Sequence, residues 1–325
     1  MTNGPIRWGI LGTGSIARTF TADLLRLPGH EVAAVGSRAP HTAEAFAADF
    51  GVPRAYGTYA ELAADDGVDV VYVATPHSGH YDAARACLEA GRAVLVEKPL
   101  TPAAADAEKL VAYARDRGLF LQEGMWTRFN PLIVKLRELV ADGAIGDVTA
   151  VYADFCWAPP YDPDSRFWSP DLAGGALLDL GVYPLAFAWM LLGPHATVQA
   201  TATLAPTGVD ANTGILLGYD SGAVALLHCG LTAESPQAAT VVGTEGRIEV
   251  PALFFRPTSM TLLRNRVEPE TFGLELDGHG FTFEAEEVAR CLRTGLLESP
   301  QMPLDETIAI LRTTDTIAAQ LHTAR

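Results

Sequence analysis

Three observations make this 325-residue chain an α/β protein of two domains. Strand-like and helix-like segments alternate through residues 6–124, the mark of helices crossing over a parallel sheet. The first strand-like run turns through glycines directly into a helix-like segment. Beyond residue 147, strand-like runs follow one another so closely that a second sheet is needed to pair them. The length agrees at ~150 residues per domain. With 49% hydrophobic and 19% charged residues, the chain can bury a large core.

Ile6 to Leu11 (IRWGIL), apolar apart from Arg7, has the pattern of a buried strand. Gly12-Thr13-Gly14-Ser15-Ile16-Ala17 follows as GxGxxA, then a helical stretch ending near Pro28-Gly29, then the strand Glu31 to Val35. A glycine motif alone is common by chance, but strand, glycine turn, helix and second strand together point to dinucleotide binding. Gly12 permits the tight turn and Gly14 admits the pyrophosphate to the backbone. Ser15 and Ile16 open the helix whose N–H groups face the phosphates, and Ala17 keeps helix and strand close. The second strand ends in Ser37-Arg38, where an NAD-preferring site would carry an Asp or Glu for the ribose hydroxyls. A hydroxyl and a guanidinium suit a 2′-phosphate, so NADP is expected rather than NAD; the alternative is that Arg38 is a solvated loop charge.

A helix over His41 to Phe50 and a short link to Tyr59 lead to the apolar strand Val68 to Ala74. Its loop, Thr75-Pro76-His77-Ser78-Gly79-His80, lies at a strand C-terminus, where open α/β sheets bind ligands. Thr75, Pro76, His77 and His80 are therefore candidates to border the cofactor, although His80, which opens a helix closed by Gly91, reads as a packing or capping residue more than as a base. The next strand, Ala93 to Val96, delivers Glu97, Lys98 and Pro99 into the same crevice. Glu97 and Lys98 join the cofactor candidates, and Lys98 can hydrogen-bond a substrate oxygen and favour a developing alkoxide. Pro99 restricts the residue before it and can sit in a trans or a cis bond. The last strand of this half, LFLQEG, sets a boundary near residues 122–128: domain 1–124 and domain 125–325.

The second half reads as strands at 147–156, 196–204, 213–219, 223–230, 238–242 and 247–250, with a hairpin turn at Tyr219-Asp220-Ser221-Gly222. Helices are expected at 281–294 and 304–324, the second after Pro303 with Asp305 and Glu306 in its first turn. Asp179 and Tyr183 stand four apart in an apolar helical stretch, on one face. Trp126, Arg128 and Phe129 mark the domain junction, and Phe155 to Trp168 is rich in rings and prolines. These are candidate pocket walls, with the core as their alternative.

Twenty-three Lys and Arg against 39 Asp and Glu give a formal charge of −16, which disfavours nucleic acid and anionic membrane surfaces as partners. No run reaches ~18 uninterrupted apolar residues, and the N-terminal sequence enters the glycine motif with no cleavable signal, so a cytoplasmic location is expected. The four cysteines lack metal-ligand spacing and read as buried thiols; no metal site is expected.

GILGTGSIA near the N-terminus, ATPHSGHY after Val73 and EKPL at 97–100 together resemble the Gfo/Idh/MocA oxidoreductases, the glucose–fructose oxidoreductase and inositol dehydrogenase family. EGMWTRF at 123–129 and GGALLDLGVYP at 174–184 are similar to the branch holding the dimeric dihydrodiol dehydrogenases and NADP-dependent D-xylose dehydrogenases. The match spans most of the chain to about residue 190 and is general beyond it. The resemblance implies a Rossmann domain followed by an α/β domain with a large, mostly antiparallel open sheet, whose exposed face pairs two subunits into a homodimer.

The resemblance also implies a catalytic set. The family's usual pattern is the EKP lysine with an Asp and a His four residues apart on a helix. Here Tyr183 stands in the histidine's place. A phenol with a reference pKa of ~10 is a poor base unless a cation such as Lys98 stabilises its phenolate. The expected roles are Tyr183 as acid/base, Lys98 as its electrostatic partner and Asp179 as a substrate-hydroxyl contact. The bland reading is Tyr183 as core filler and Asp179 as a local cap. Trp126, Arg128, Phe129, Phe155 and Trp168 are the substrate-lining candidates, suited to a pyranose or an aromatic diol. The expected activity is NADP-dependent hydride transfer to or from a sugar or cyclic vicinal diol. The alternatives are an NAD-dependent glycosidase of the same family and a non-catalytic NADPH sensor.

Overall fold

The structure, a computed structural model, describes residues 4–323. It divides into two compact units: one runs to Trp126 and takes in Asp277–Ile308, the other comprises Thr127–Leu276 and the residues from Ala309 on.

The first unit contains β1 (Ile6–Leu11), α1 (Ser15–Leu24), β2 (His30–Gly36), α2 (Pro40–Phe50), β3 (Ala55–Tyr56), α3 (Tyr59–Ala63), β4 (Val70–Val73), α4 (His80–Glu89), β5 (Ala93–Glu97), α5 (Ala104–Arg117) and β6 (Leu121–Gly124). The strands form one parallel sheet in the order β3-β2-β1-β4-β5-β6, with the order reversing at β1. β4 and β5 are buried at every position, as their near-continuous apolar sequences require of strands covered on both faces. Phe20 of α1 stacks on Tyr72 of β4 at 3.8 Å and meets Trp8 of β1 edge-on at 5.4 Å. Each such buried ring contributes about 1.5–3 kcal/mol. β3 lies inside the segment expected to be a short link, and α3 begins where that link ends, before the expected strand at Val68; Thr58 caps α3 by accepting from Glu61 N–H.

The second unit contains α6 (Pro131–Ala141), β7 (Val148–Cys156), α7 (Val182–Leu192), β8 (Thr197–Leu204), β9 (Asp210–Gly218), β10 (Val224–Gly230), β11 (Ala239–Gly243), β12 (Gly246–Val250), β13 (Ser259–Arg264) and β14 (Glu270–Gly273). Its eight-stranded sheet runs β14-β13-β12-β11-β7-β10-β9-β8 and is antiparallel except where β7 meets β10. β9 starts three residues before the expected 213, and β13 and β14 extend the sheet beyond the last expected strand. The turn at Tyr219–Gly222 joins β9 to β10 as a hairpin, with Gly222 N–H on Tyr219 C=O. α7 packs on the inner face of β7 and β10. The stretch Pro170–Leu192 has the length and hydropathy of a membrane span, yet 72% of its most apolar window is buried inside the protein.

The last two helices are α8 (Thr282–Thr294), which belongs to the first unit, and α9 (Leu304–Thr323), which begins there and ends in the second. Asp23 of α1 anchors the approach to α8, its carboxylate accepting from the backbone N–H groups of His279, Gly280 and Phe281 at 2.9–3.1 Å.

Candidate active site

The nucleotide end is assembled from the C-terminal edges of β1, β2, β4 and β5. Gly12 adopts φ +112°, and a Cβ there would lie 2.5 Å from the Ala74 carbonyl oxygen, so only glycine fits. Gly14 caps α1 without a side chain, and nothing lies within 4 Å of where its Cβ would be. The backbone at Ser15 and Ile16 is thus open to a phosphate, and no acidic residue occupies the first turn of α1. At the end of β2, Ser37 is buried with its hydroxyl 2.7 Å from that of Thr42, while Arg38 is exposed and reaches the Tyr59 phenol. Burial raises the Tyr59 pKa and outweighs the opposing pull of Arg38.

Thr75 is buried with its hydroxyl unpartnered, Pro76 precedes a short 3₁₀ turn, and the His77 ring meets the His80 ring edge-on at 5.6 Å. His80 is fully buried between Pro99 C=O, 2.7 Å from Nδ1, and Thr75 C=O, 2.9 Å from Nε2. The neutral ring donates its single N–H to one of these carbonyls and packs its other nitrogen against the second, in keeping with the packing reading. Burial, aided by the Lys98 charge, pushes the imidazole down to about 4 against the opposing pull of the two carbonyls.

Around Lys98 every neighbour is tied. The Tyr72 hydroxyl donates to Glu97 Oε1, and Lys98 N–H donates to Glu97 Oε2 at 3.2 Å. The Lys98–Pro99 peptide is cis. Leu100 N–H donates to Glu123 Oε1 at 3.0 Å, and the Thr307 hydroxyl donates to the other oxygen at 2.9 Å. Lys98 thus leaves β5 from a segment whose backbone is pinned on both sides.

In the second unit, the helix bearing Asp179 and Tyr183 is not uniform. Leu177–Gly181 is a π turn, and regular α-helix begins only at Val182. The expectation that one α-helix presents both residues by i, i+4 geometry is corrected: Asp179 lies in the wider turn and Tyr183 in the first α turn. π turns concentrate at functional sites because the inserted residue displaces a side chain from the regular ladder. Asp210 holds this entry, accepting from Leu177 N–H at 2.8 Å and from the Thr213 hydroxyl at 2.7 Å. Asp179 is 2% exposed and receives Arg166 Nη1 at 2.9 Å, while the Arg166 guanidinium lies 3.9 Å over the Phe167 ring. Tyr183 is 6% exposed beside Phe155 and Phe255, which stack on each other at 4.3 Å.

Trp126 belongs to the first unit and stacks on Phe281 at 4.3 Å. Arg128 and Phe129 are interior to the second, with Arg128 Nη2 donating to Ala186 C=O at 3.4 Å. Trp168 is buried, its indole N–H on Pro160 C=O at 3.1 Å and its ring against Tyr161. Sequence reasoning placed Arg166 only as a loop neighbour and passed over Phe255 and Asp210. A cation 13 residues before a buried acid carries no periodic signal. All four cysteines are free and buried, and burial pushes the thiols of Cys87 and Cys291 up to about 12.

Residues 6–125 match the model described as "Oxidoreductase family, NAD-binding Rossmann fold", and residues 133–249 match the GFO/IDH/MocA C-terminal domain. The chain is 40% identical to mouse trans-1,2-dihydrobenzene-1,2-diol dehydrogenase, the match covering 93% of this chain and 92% of that one. It is 38% identical to D-xylose 1-dehydrogenase (NADP(+)) of Hypocrea jecorina, covering 95% and 90%. Among solved structures it is similar to a 3-ketoreductase from Actinomadura kijaniata in complex with NADP and TDP-benzene, at 30% identity and TM-score 0.86, covering 98% of each chain. It is also similar to the aldose-aldose oxidoreductase of Caulobacter crescentus, at 26% identity and TM-score 0.89, covering 99% of this chain and 98% of that one. Reversed strand order at β1, the Gly12 and Gly14 turn, and the pinned Glu97-Lys98-Pro99 segment agree with these matches: the chain belongs to the Gfo/Idh/MocA oxidoreductase family.

Proposed function

We propose that this protein is an NADP-dependent oxidoreductase that moves hydride between the nicotinamide and a sugar or cyclic vicinal diol. The observation that carries the reading is Lys98, held at the C-terminal edge of a dinucleotide-type sheet by a backbone fixed through Glu97 and Glu123. The relatives named as diol and xylose dehydrogenases, matched over nearly the whole chain, support it. The residues at the end of β2 fit NADP: no carboxylate meets the ribose, and exposed Arg38 is available to a 2′-phosphate.

Bound NADP supplies the hydride acceptor. Gly12, Gly14, Ser15 and Ile16 form the phosphate cradle, Ser37 and Arg38 the 2′-phosphate end, and the Thr75–His77 loop with Glu97 the border of the site, His80 acting by fixing that loop. As a substrate C–H bond breaks with its electron pair leaving as hydride, the hydroxyl proton passes to the Tyr183 phenolate, and the C=O bond forms. Lys98 favours that phenolate and the developing alkoxide, and Asp179 holds a neighbouring hydroxyl. Trp126, Phe129, Phe155 and Trp168 are the rings, and Arg128 the cation, assigned to the substrate side. The expected boundary at 124/125 falls two residues before the end of the first stretch of the nucleotide-binding unit, Trp126, and that unit is completed by Asp277–Ile308, which the expected 125–325 domain had included.

The protein acts as a homodimer through the outer sheet face. Tyr152, Leu226 and Leu216 are each 41–46% exposed and stand in register across β7, β10 and β9. They line a groove of about 600 Å³ with Gln199 and His228, an apolar row that a second copy would cover. A charge of −16 accords with a cytoplasmic enzyme that meets neither nucleic acid nor membrane.

The test is the absorbance of the nicotinamide band with NADP+ and NAD+ offered in parallel against aldoses, inositols and trans-dihydrodiols. Reduction of NADP+ by one of these classes supports the reading. NADPH binding without turnover on any of them sinks it in favour of a sensor, and glycoside hydrolysis with retained NAD in favour of a hydrolase.

A further inference from the structure

Helix α8 carries a carboxyl that none of this chemistry uses. Glu284 is fully buried, and neither of its oxygens has a hydrogen-bond partner among the described residues. It lies in the first turn of α8, one turn after Phe281, which packs on Trp126 and Phe20. Phe20 stacks on Tyr72, and the Tyr72 hydroxyl donates to Glu97. Tyr72 pairs in register with Leu95, as does Gln122, so Tyr72, Leu95, Glu97 and Gln122 present side chains to the same face of the sheet. Both amide atoms of Gln122 are also unpartnered. Four polar groups are thus collected in an interior otherwise built from Trp8, Phe20, Leu95, Phe281 and Val288.

Two carboxylates in such an interior cannot both be ionised, because burial and like charge each favour the neutral acid. Glu97 has the donors, Tyr72 O–H and Lys98 N–H. Glu284 has none, and burial followed by the Glu97 charge drives its carboxyl well above the usual range. Lys98 follows Glu97 in the chain and adds its positive charge on that side, while Asp23 is engaged with the backbone of 279–281 and Glu287 with Arg290 and Ser299.

We propose that Glu284 and Glu97 hold one proton between them, carried by Glu284, and that loss of this proton in alkali is what releases the Lys98 segment. Glu284 is then a positioning residue that acts on Lys98 through Glu97 and sets the alkaline limit of the site. The inference rests on the proposed function only in making Lys98 functional.

The experiment compares the pH dependence of folding stability in wild type, Glu284→Gln, Glu97→Gln and the double variant. Above the ordinary carboxyl value of 4.5 the unfolded chain releases a proton that the folded protein keeps, so wild-type stability falls as pH rises. Glu284→Gln lacks that loss. Its folding constant relative to wild type should climb ~tenfold per pH unit from about pH 5 upward, until Glu284 ionises in the folded protein. With Glu97→Gln in both proteins, the ratio of the double variant to Glu97→Gln alone should stop climbing at lower pH, because the repelling charge is gone. Infrared spectra of the wild type should show a protonated carboxylic acid at neutral pH that disappears in alkali, together with NADPH-dependent turnover if the function is as proposed. A stability ratio flat between about pH 5 and pH 8, or no acid band in the wild type, overturns the proposal whether or not a substrate is found.

Discussion

Arg166 places Nη1 2.9 Å from Asp179 Oδ1, a half-exposed guanidinium closing over a carboxylate that is itself interior. Removing the cation takes a charge-bearing partner from that buried anion. Arg166→Ala should lower stability by about 1–3 kcal/mol, less than for a fully buried pair because water reaches the arginine side. A urea melt reads it, and adding Asp179→Asn to the variant should recover most of the loss. Recovery of nothing would mean that the arginine acts through its packing on Phe167.

Tyr183→Phe keeps the ring between Phe155 and Phe255 and deletes only the hydroxyl. Turnover should fall ~10²–10⁴-fold with NADPH affinity unchanged. Retention of more than about a tenth of wild-type kcat would remove Tyr183 from the acid/base role.

Arg38→Ala should weaken NADPH ~10–100-fold, the worth of one charge-assisted contact, and leave NADH binding as it was. Fluorescence titration of the two cofactors decides it. An equal loss for both would make Arg38 an adenine contact with no part in choosing between them.

His80 gives stability an acid limit. Its imidazole is neutral in the folded protein down to about 4, whereas the unfolded value is 6.5, so the contribution is complete above 6.5 and is lost as pH falls from there towards 4. The full loss is about 3 kcal/mol. His80→Gln, able to donate to Thr75 and Pro99 carbonyls without titrating, should flatten the melting temperature across that window. An unchanged slope would show that other groups govern acid unfolding.

Leu226→Lys sets a charge in the middle of the Tyr152–Leu226–Leu216 row. Sedimentation should show a homodimer for the wild type and a folded monomer for the variant. A dimer in both would move the interface off this sheet face.

Much of this molecule was legible in advance because its strongest signals are local. β1, β2, β4 and β5 are largely apolar runs, and glycines at 12, 91 and 222 mark turns at positive φ that favour them. β13 and β14 were not, since TSMTLLRNRVEPETFG mixes charge with short apolar runs and is a strand only by leaning on β12. The π turn at 177–181 was hidden for the opposite reason: in LLDLGVYPLAFAWMLLG nearly every position is apolar, so an inserted residue breaks no visible period. Glu284 did leave a trace. It falls with Val288 and Cys291 on the buried stripe of α8, and a carboxyl at such a position is a question the spacing alone could have raised. What the sequence withheld was partnership, as between Arg166 and Asp179, which depends on a loop closing in space.

The tie between Asp23 and the backbone at 279 spans 256 residues of chain. During synthesis, Trp8, Phe20 and Tyr72 can bring β1, α1 and β4 together early, yet Phe281, which meets Phe20, and α8 behind it do not exist until residue 294 has left the ribosome. The nascent protein therefore carries an uncovered aromatic face through most of its translation, while the intervening eight-stranded sheet folds. Closing so long a loop adds little to the equilibrium cost, because that cost grows only logarithmically. Its weight falls on timing: the nucleotide unit is completed only when Asp277–Ile308 has been made.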